Sequence, residues 1–236
     1  MPADRARSAR RATGDGAMTQ ATLAEASNDL RRHLDKYNWT GQSPSRRRIL
    51  SEFLRLATAH GFDSVSMRML AKAVDIKAPS IYAHFPDGRD EIVAESLRWH
   101  FHQFGIAMLT EVDKTTGTED AWAAMVRVHL TRQLRLPESN LWDLLVATDK
   151  MANFLPTEVR IEADNWVALY ERMYLAAAAE LGAESSEEAV RIVMAVLESA
   201  TRWCNWDGSD EHLEHLVDRA VALTRTVLDW STTTGH

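Results

Sequence analysis

With 236 residues, 45% of them hydrophobic and 26% charged, the chain suits one large domain or two small ones and has the means to bury a core. Its net charge of −7 divides unevenly: residues 1–85 hold 14 basic and 8 acidic side chains, residues 86–236 hold 13 and 26. No window approaches the roughly 18 uninterrupted apolar residues of a membrane span, the N-terminal arginines have no apolar stretch behind them as a secretory signal would, and the single Cys204 excludes a disulfide framework or a multi-cysteine metal site.

A cytoplasmic location is therefore the expectation. Residues 1–44 lack hydrophobic periodicity and are expected to form a disordered tail, with a short helical turn around residues 29–37. From Ser45 onward apolar residues recur at three- and four-residue spacing without strand-like alternation, so the expected fold class is all-α, with about nine helices. Ser43-Pro44-Ser45 opens a first helix over Arg46–His60, closed by Gly61. Ser66 caps a second over Met67–Val74. After the turn Asp75-Ile76-Lys77, a third runs from Pro79 to His84, and a long fourth helix follows from Arg89 to about Leu109. Further helices are expected over Glu119–Leu134, Ser139–Asn153, Thr157–Leu181, Glu184–Cys204 and Asp210–Trp230, each marked by glycine, proline or an Asp-Gly break. These elements group into a 45–90 unit and a 91–236 unit.

The first three helices have the lengths and the short turn of a helix-turn-helix, with Ile76, Ile81 and Phe85 packing the third helix and its polar side turned outward. The short side chains Ala78, Pro79 and Ser80 would let the backbone approach base edges, while Tyr82 and His84 carry hydrogen-bonding tips suited to phosphate oxygens. The stretch Arg47-x-Ile49-Leu50, Ala57, Gly61-Phe62, Ser66-x-x-x-Leu70-Ala71, Ile76 and Ile81-Tyr82-Ala83-His84-Phe85 resembles the DNA-binding region of TetR/AcrR-type regulators. The resemblance covers about 50 residues, from Arg46 to about Leu97. It implies operator DNA as a partner, bases faced by Lys77, Ala78, Pro79 and Ser80, and phosphates contacted or oriented by Tyr82 and His84; Ser66, at a helix N-terminus that can present N–H groups to a phosphate, and Arg68 are further DNA-binding candidates. Two positions depart from the pattern. Asp75 stands where glycine is usual, and the segment before the fourth helix is one residue longer, so that Arg89 replaces the usual lysine.

The same resemblance implies a homodimer built from Glu184–Cys204 and Asp210–Trp230, whose apolar stripes would serve equally as intrachain core. Large aromatic and methionine side chains crowd the middle helices. Trp99, Phe104, Met108, Trp122, Met125, Trp142, Trp166, Tyr170 and Met173 are candidates to line a cavity for a hydrophobic effector, with ordinary core packing as the alternative for each. The break Trp203-Cys204-Asn205-Trp206-Asp207-Gly208 is similar to a Trp-x-x-x-Asp-Gly stretch of TetR-type regulators of fatty-acid and steroid catabolism, which implies an acyl-CoA thioester as effector; a plain helix-ending turn is the alternative. His100-x-His102 and His212-x-x-His215 offer metal-type spacing without a marked third ligand. No phosphate-cradling loop or nucleophile elbow is present. The expectation is a ligand-responsive repressor, not an enzyme, with no cofactor and no metal.

Overall fold

A computed structural model describes residues 21–37, 39, 42–136, 138–140, 155–183 and 186–233. Among these every regular element is helical: α1 (Leu23–Leu34), α2 (Pro44–His60), a 3-10 turn (Phe62–Ser64), α3 (Met67–Ala73), α4 (Ala78–His84), α5 (Arg89–Val112), α6 (Thr118–Arg135), α7 (Thr157–Glu180), α8 (Ser186–Glu198), α9 (Ala200–Trp203) and α10 (Asp210–Thr233). Most of the helix expected over Ser139–Asn153 lies outside the described residues, as does Trp142.

Two cores form. The smaller packs α2, α3 and α4 around Ile49, Leu50, Phe53, Leu70, Ile81 and Phe85 and takes in Ile92 at the start of α5. The larger lies among α1 and α5–α10, with Trp122, Trp166 and Tyr174 its largest fully buried side chains. Tyr37, Phe62, Val93 and Trp99 are half-buried and touch both. The two units are therefore packed together, and α5 is the element that runs through both.

The expected tail is wrong over α1. Thr22 and Glu25 form a capping box, with the Glu25 amide on Thr22 Oγ1 at 3.2 Å and the Thr22 amide on Glu25 Oε2 at 2.8 Å. Such a box satisfies two amides that a helix N-terminus otherwise leaves open. Leu23, Ala26, Leu30 and Leu34 recur at three- and four-residue spacing and are buried against α5 and α7. The Leu23 amide donates to Glu180 Oε1 at 2.8 Å, which fixes α1 to the far end of α7. This helix belongs to the larger unit.

The helix expected over Glu184–Cys204 breaks at Ser199, whose hydroxyl donates to the Val196 carbonyl at 3.2 Å. A serine hydroxyl bonded back to the preceding turn competes with the backbone ladder and bends a helix. The Trp203 indole N–H donates to the same carbonyl at 2.8 Å, so this side chain lies back along the end of α8.

Because Leu30 is fully buried, Leu30→Ala should destabilise the whole protein by about 2–5 kcal/mol, the usual cost of a large-to-small core change. Urea unfolding followed by tryptophan fluorescence checks this. A change under about 0.5 kcal/mol would mean that α1 is not part of the cooperative core.

Candidate nucleic-acid interface and effector cavity

The α3–α4 turn shows why Asp75 replaces glycine without loss of the motif. Asp75 has φ 54°, the Ile76 amide reaches the Ala71 carbonyl at 3.0 Å and the Asp75 amide reaches Lys72 at 3.3 Å. That pair of bonds is the Schellman ending, which places its C′ residue in the left-handed region. Aspartate tolerates the region better than most non-glycine residues. Ser66 caps α3 by accepting from the Met69 amide at 3.2 Å. Lys77 is the N-cap of α4, and Pro79 sits in its first turn, where no intrahelical N–H is required.

Packing then decides which side chains of α4 are free. Ile81 and Phe85 are fully buried. Lys77, Pro79, Ser80, Tyr82 and Ala83 are exposed, and Ala78 and His84 are half-buried. Tyr82 is 48% exposed and its ring leans on Gly88, where an added Cβ would lie 3.1 Å from Tyr82 Cε1. Gly88, at φ 70° and ψ −129°, thus supplies both the backbone turn into α5 and the space for this ring. Ser66 and Arg68 are exposed at the start of α3 and complete the set of expected residues on this unit. Arg89 differs: it is half-buried and donates to the Phe62 carbonyl at 2.5 Å, tying α5 to the 3-10 turn.

Sequence reasoning missed the residue that locks this unit together. Arg46 donates to the His84 carbonyl at the end of α4, lies 4.2 Å from the centre of the Phe85 ring, and pairs with Glu91 at 3.1 Å and Glu95 at 3.5 Å on α5. The ion pairs continue inward. Glu95 holds Arg98 at 2.9 Å, and Arg98 reaches Glu162 on α7 at 2.5 Å. These hydrogen bonds to carboxylates, on a half-buried guanidinium, hold Arg98 firmly in its charged form. The only sequence signal was Arg46 at the first turn of α2 with glutamates four residues apart on α5.

A cavity of about 60 Å3 lies deeper, in the larger unit. His100, Phe101 and Phe104 of α5, His129 and Gln133 of α6, Ser139, Val167 and Tyr170 of α7, and Met194 and Glu198 of α8 line it. Of the expected effector residues, the structure brings Phe104 and Tyr170 to its wall. Trp166 stacks on Phe101 just beside them, with ring centres 6.1 Å apart. Met108, Trp122, Met125 and Met173 are buried core that does not line this cavity; the Trp122 N–H is spent on Thr224 Oγ1 at 3.1 Å. Trp99 packs elsewhere, edge-on to Trp39 with ring centres 5.1 Å apart. Two larger hollows, about 360 and 420 Å3, open to the surface beside α1 and beside Trp99.

Periodicity pointed to the aromatic residues and passed over His100, His129 and Gln133, because buried polar groups leave no periodic signature. Burial pushes His100 down to about 3 and His129 down to about 4, and the nearby Arg132 charge pushes both in the same direction. Tyr170 is held well above the ordinary phenol range by burial, and its hydroxyl donates to the Phe101 carbonyl. Gly105 lies beside it and gives room to α1: a Cβ there would meet Leu34 at 3.1 Å. The Trp203–Gly208 break is also built into the body. The Trp206 N–H donates to the Ser209 carbonyl at 2.8 Å, Asp207 accepts from the Ser209 amide at 2.8 Å, and Ser209 Oγ caps α10 at the His212 amide. Among the described residues no group of three His, Cys, Asp or Glu side chains is placed to hold a metal ion, and no helix is long and apolar enough to cross a membrane.

The head has the three helices and short turn of a helix-turn-helix, with α4 exposed, and it is carried on a larger helical body with an internal cavity. Residues 49–95 match the family model for bacterial regulatory proteins of the tetR family. Among curated proteins none matches the sequence. Solved structures share the fold at low identity. A tetR-family regulatory protein from Rhodococcus RHA1 matches at 13% identity and TM-score 0.67, over 79% of this chain and 98% of that one. The superantigen PfiT matches at 23% and 0.63, over 77% and 96%. AibR, solved with isovaleryl coenzyme A and operator DNA, matches at 17% and 0.63, over 76% and 97%.

The buried histidines make stability depend on pH. An unfolded histidine takes up its proton near pH 6.5, whereas folded His129 does so only near 4 and His100 near 3. The unfolded chain therefore binds more protons between these values, and stability falls as pH drops from about 6.5 towards about 4. His129→Gln should flatten that slope. Urea unfolding at about pH 7 and about pH 5 measures it, and an unchanged slope would refute the burial of a neutral imidazole.

Proposed function

We propose that this protein is a ligand-responsive transcriptional repressor that binds a palindromic operator as a homodimer and is released by a hydrophobic small molecule. The observation that carries this reading is the double role of α5. Its first turns belong to the head core through Ile92 and to Arg46 through Glu91, and its middle turns form a wall of the cavity through His100 and Phe104. A ligand that moves this wall moves the head.

On the DNA side, Lys77, Ala78, Pro79 and Ser80 are the residues offered to base edges, with Ser66, Arg68, Tyr82 and His84 offered to phosphates. Arg89 contributes through its hold on the 3-10 turn. On α10, Leu223 is 43% and Trp230 58% exposed, with Val227 half-buried between them. Positions 223, 227 and 230 lie on one helix face. That partly exposed apolar stripe supports α8 and α10 as the dimer surface. Two-fold pairing there would set two recognition helices on one palindrome.

The effector class favoured is an acyl-CoA thioester. It is supported by the Trp203-x-x-x-Asp207-Gly208 stretch, whose Trp203 braces the α8 segment bearing Met194 and Glu198, and by the isovaleryl coenzyme A in the AibR complex.

Selection of bound sequences from a random duplex pool tests the reading. Enrichment of a two-fold palindrome, followed by release on addition of acyl-CoA thioesters, is the expected outcome. Purely salt-sensitive binding without enrichment would refute it. Tyr82→Ala should lose operator binding while keeping the unfolding midpoint, since the side chain is half exposed. Replacing both Leu223 and Trp230 by Glu should give a monomer by light scattering, with operator affinity at least about tenfold weaker. A dimer that survives this pair would place the interface elsewhere.

A further inference from the structure

Four of the eight buried polar side chains among the described residues, His100, His129, Gln133 and Ser139, stand around the one small cavity described above. Polar groups are costly to bury, so their concentration at a single hollow calls for a reason. Several have spent their donors. Gln133 Nε2 donates to the Glu198 carbonyl at 2.8 Å, Ser139 Oγ to the Arg132 carbonyl at 3.3 Å, and the Tyr170 hydroxyl to the Phe101 carbonyl.

Arg132 is different. Its guanidinium carbon lies 5.7 Å from the centre of the Phe104 ring, which is part of the cavity wall. Its Nε is buried without a hydrogen-bond partner, and the carboxylate that acts on it within the chain is that of half-buried Glu138. A buried N–H of a charged group left without an acceptor is costly relative to one that is paired. The charge is felt across the hollow: it acts on His100 and His129 as a repulsive cation and on Tyr170 as an attractive one. Glu198, the carboxylate on the lining, belongs to an exposed residue.

We propose that the effector bears an anionic oxygen group that pairs with Arg132, attached to an apolar body packed on Phe104, Val167 and Tyr170. This deepens the cavity reading given above and rests on it. A free carboxylate and a coenzyme A phosphate would both supply the anion.

Three probes separate these cases by calorimetric titration of the full-length protein: isovalerate, isovaleryl coenzyme A and the neutral isovaleramide. At least one anion should bind about tenfold or more tightly than the amide. Binding of isovalerate assigns the carboxylate, and binding of the thioester alone assigns the phosphates. Arg132→Gln should erase the preference and Arg132→Lys should keep part of it, with both variants retaining operator affinity. Equal binding of amide and anions, binding of no probe, or a preference unaltered in Arg132→Gln would overturn the proposal. Val167→Trp, which fills the cavity, tells the two failures apart. If it abolishes binding while Arg132→Gln does nothing, only the ion pair is wrong. If it leaves every probe bound as in the wild type, the cavity is not the effector site.

Discussion

The structure depends on α5 being one unbroken helix. At 1.5 Å per residue its 24 residues span about 36 Å, and over that length the same rod serves the head core, the ion pairs at the junction and the cavity wall. Neither unit can be displaced without the other unless α5 bends, and nothing in Arg89–Val112 invites a bend except Gly105. There the Tyr170 hydroxyl is bonded to the helix backbone at the Phe101 carbonyl. The point of least intrinsic stiffness is thus held by a side chain of the cavity. A ligand that engages Tyr170 acts on the rod where it is softest.

The junction is secured by charge as much as by packing. Arg46, Glu91, Glu95, Arg98 and Glu162 form a chain from the base of the head to α7, with side chains 16–33% exposed. Pairs in such positions contribute modestly to stability, since desolvation offsets much of the Coulomb gain. Their value lies in geometry: a guanidinium fork holding two carboxylates on successive turns of α5 defines the angle at which the head sits. Arg46 adds the ring of Phe85 and the carbonyl of His84 to that definition. The end of α4 and the start of α5 therefore share one anchor.

Much of this was legible in the sequence. Ser43-Pro44 and Gly61 delimit α2, Ser66 begins α3, and the apolar spacing of Ile76, Ile81 and Phe85 places α4, because capping and burial are local rules. Helix α1 was equally local and was passed over. Thr22-x-x-Glu25 is a capping box, and Leu23, Ala26, Leu30 and Leu34 keep helical spacing, but the arginines and serines around them resemble a tail in composition. The cavity was only half legible. Aromatic periodicity marks a buried face without saying whether the face meets another side chain or a hollow. Phe104 and Trp122 look alike in sequence, yet one lines the cavity and the other is locked to Thr224. Arg46 and Arg132 could not be singled out, since their roles depend on which distant helices pack beside them.

Magnitudes bear on how a small hollow can govern the whole rod. Allosteric coupling of the usual 1–3 kcal/mol requires that much difference in the ligand's affinity for the two arrangements. Apolar contact contributes about 25 cal/mol per Å2, so a hollow of about 60 Å3 supplies only the lower part of that range from packing. A charge-assisted hydrogen bond to a group already withdrawn from water is worth about 1.5–3 kcal/mol. It is also directional, so it is lost when α6 shifts against α5 by an ångström or two. In a cavity this small, polar pairing rather than apolar area is the term able to distinguish one placement of α5 from another.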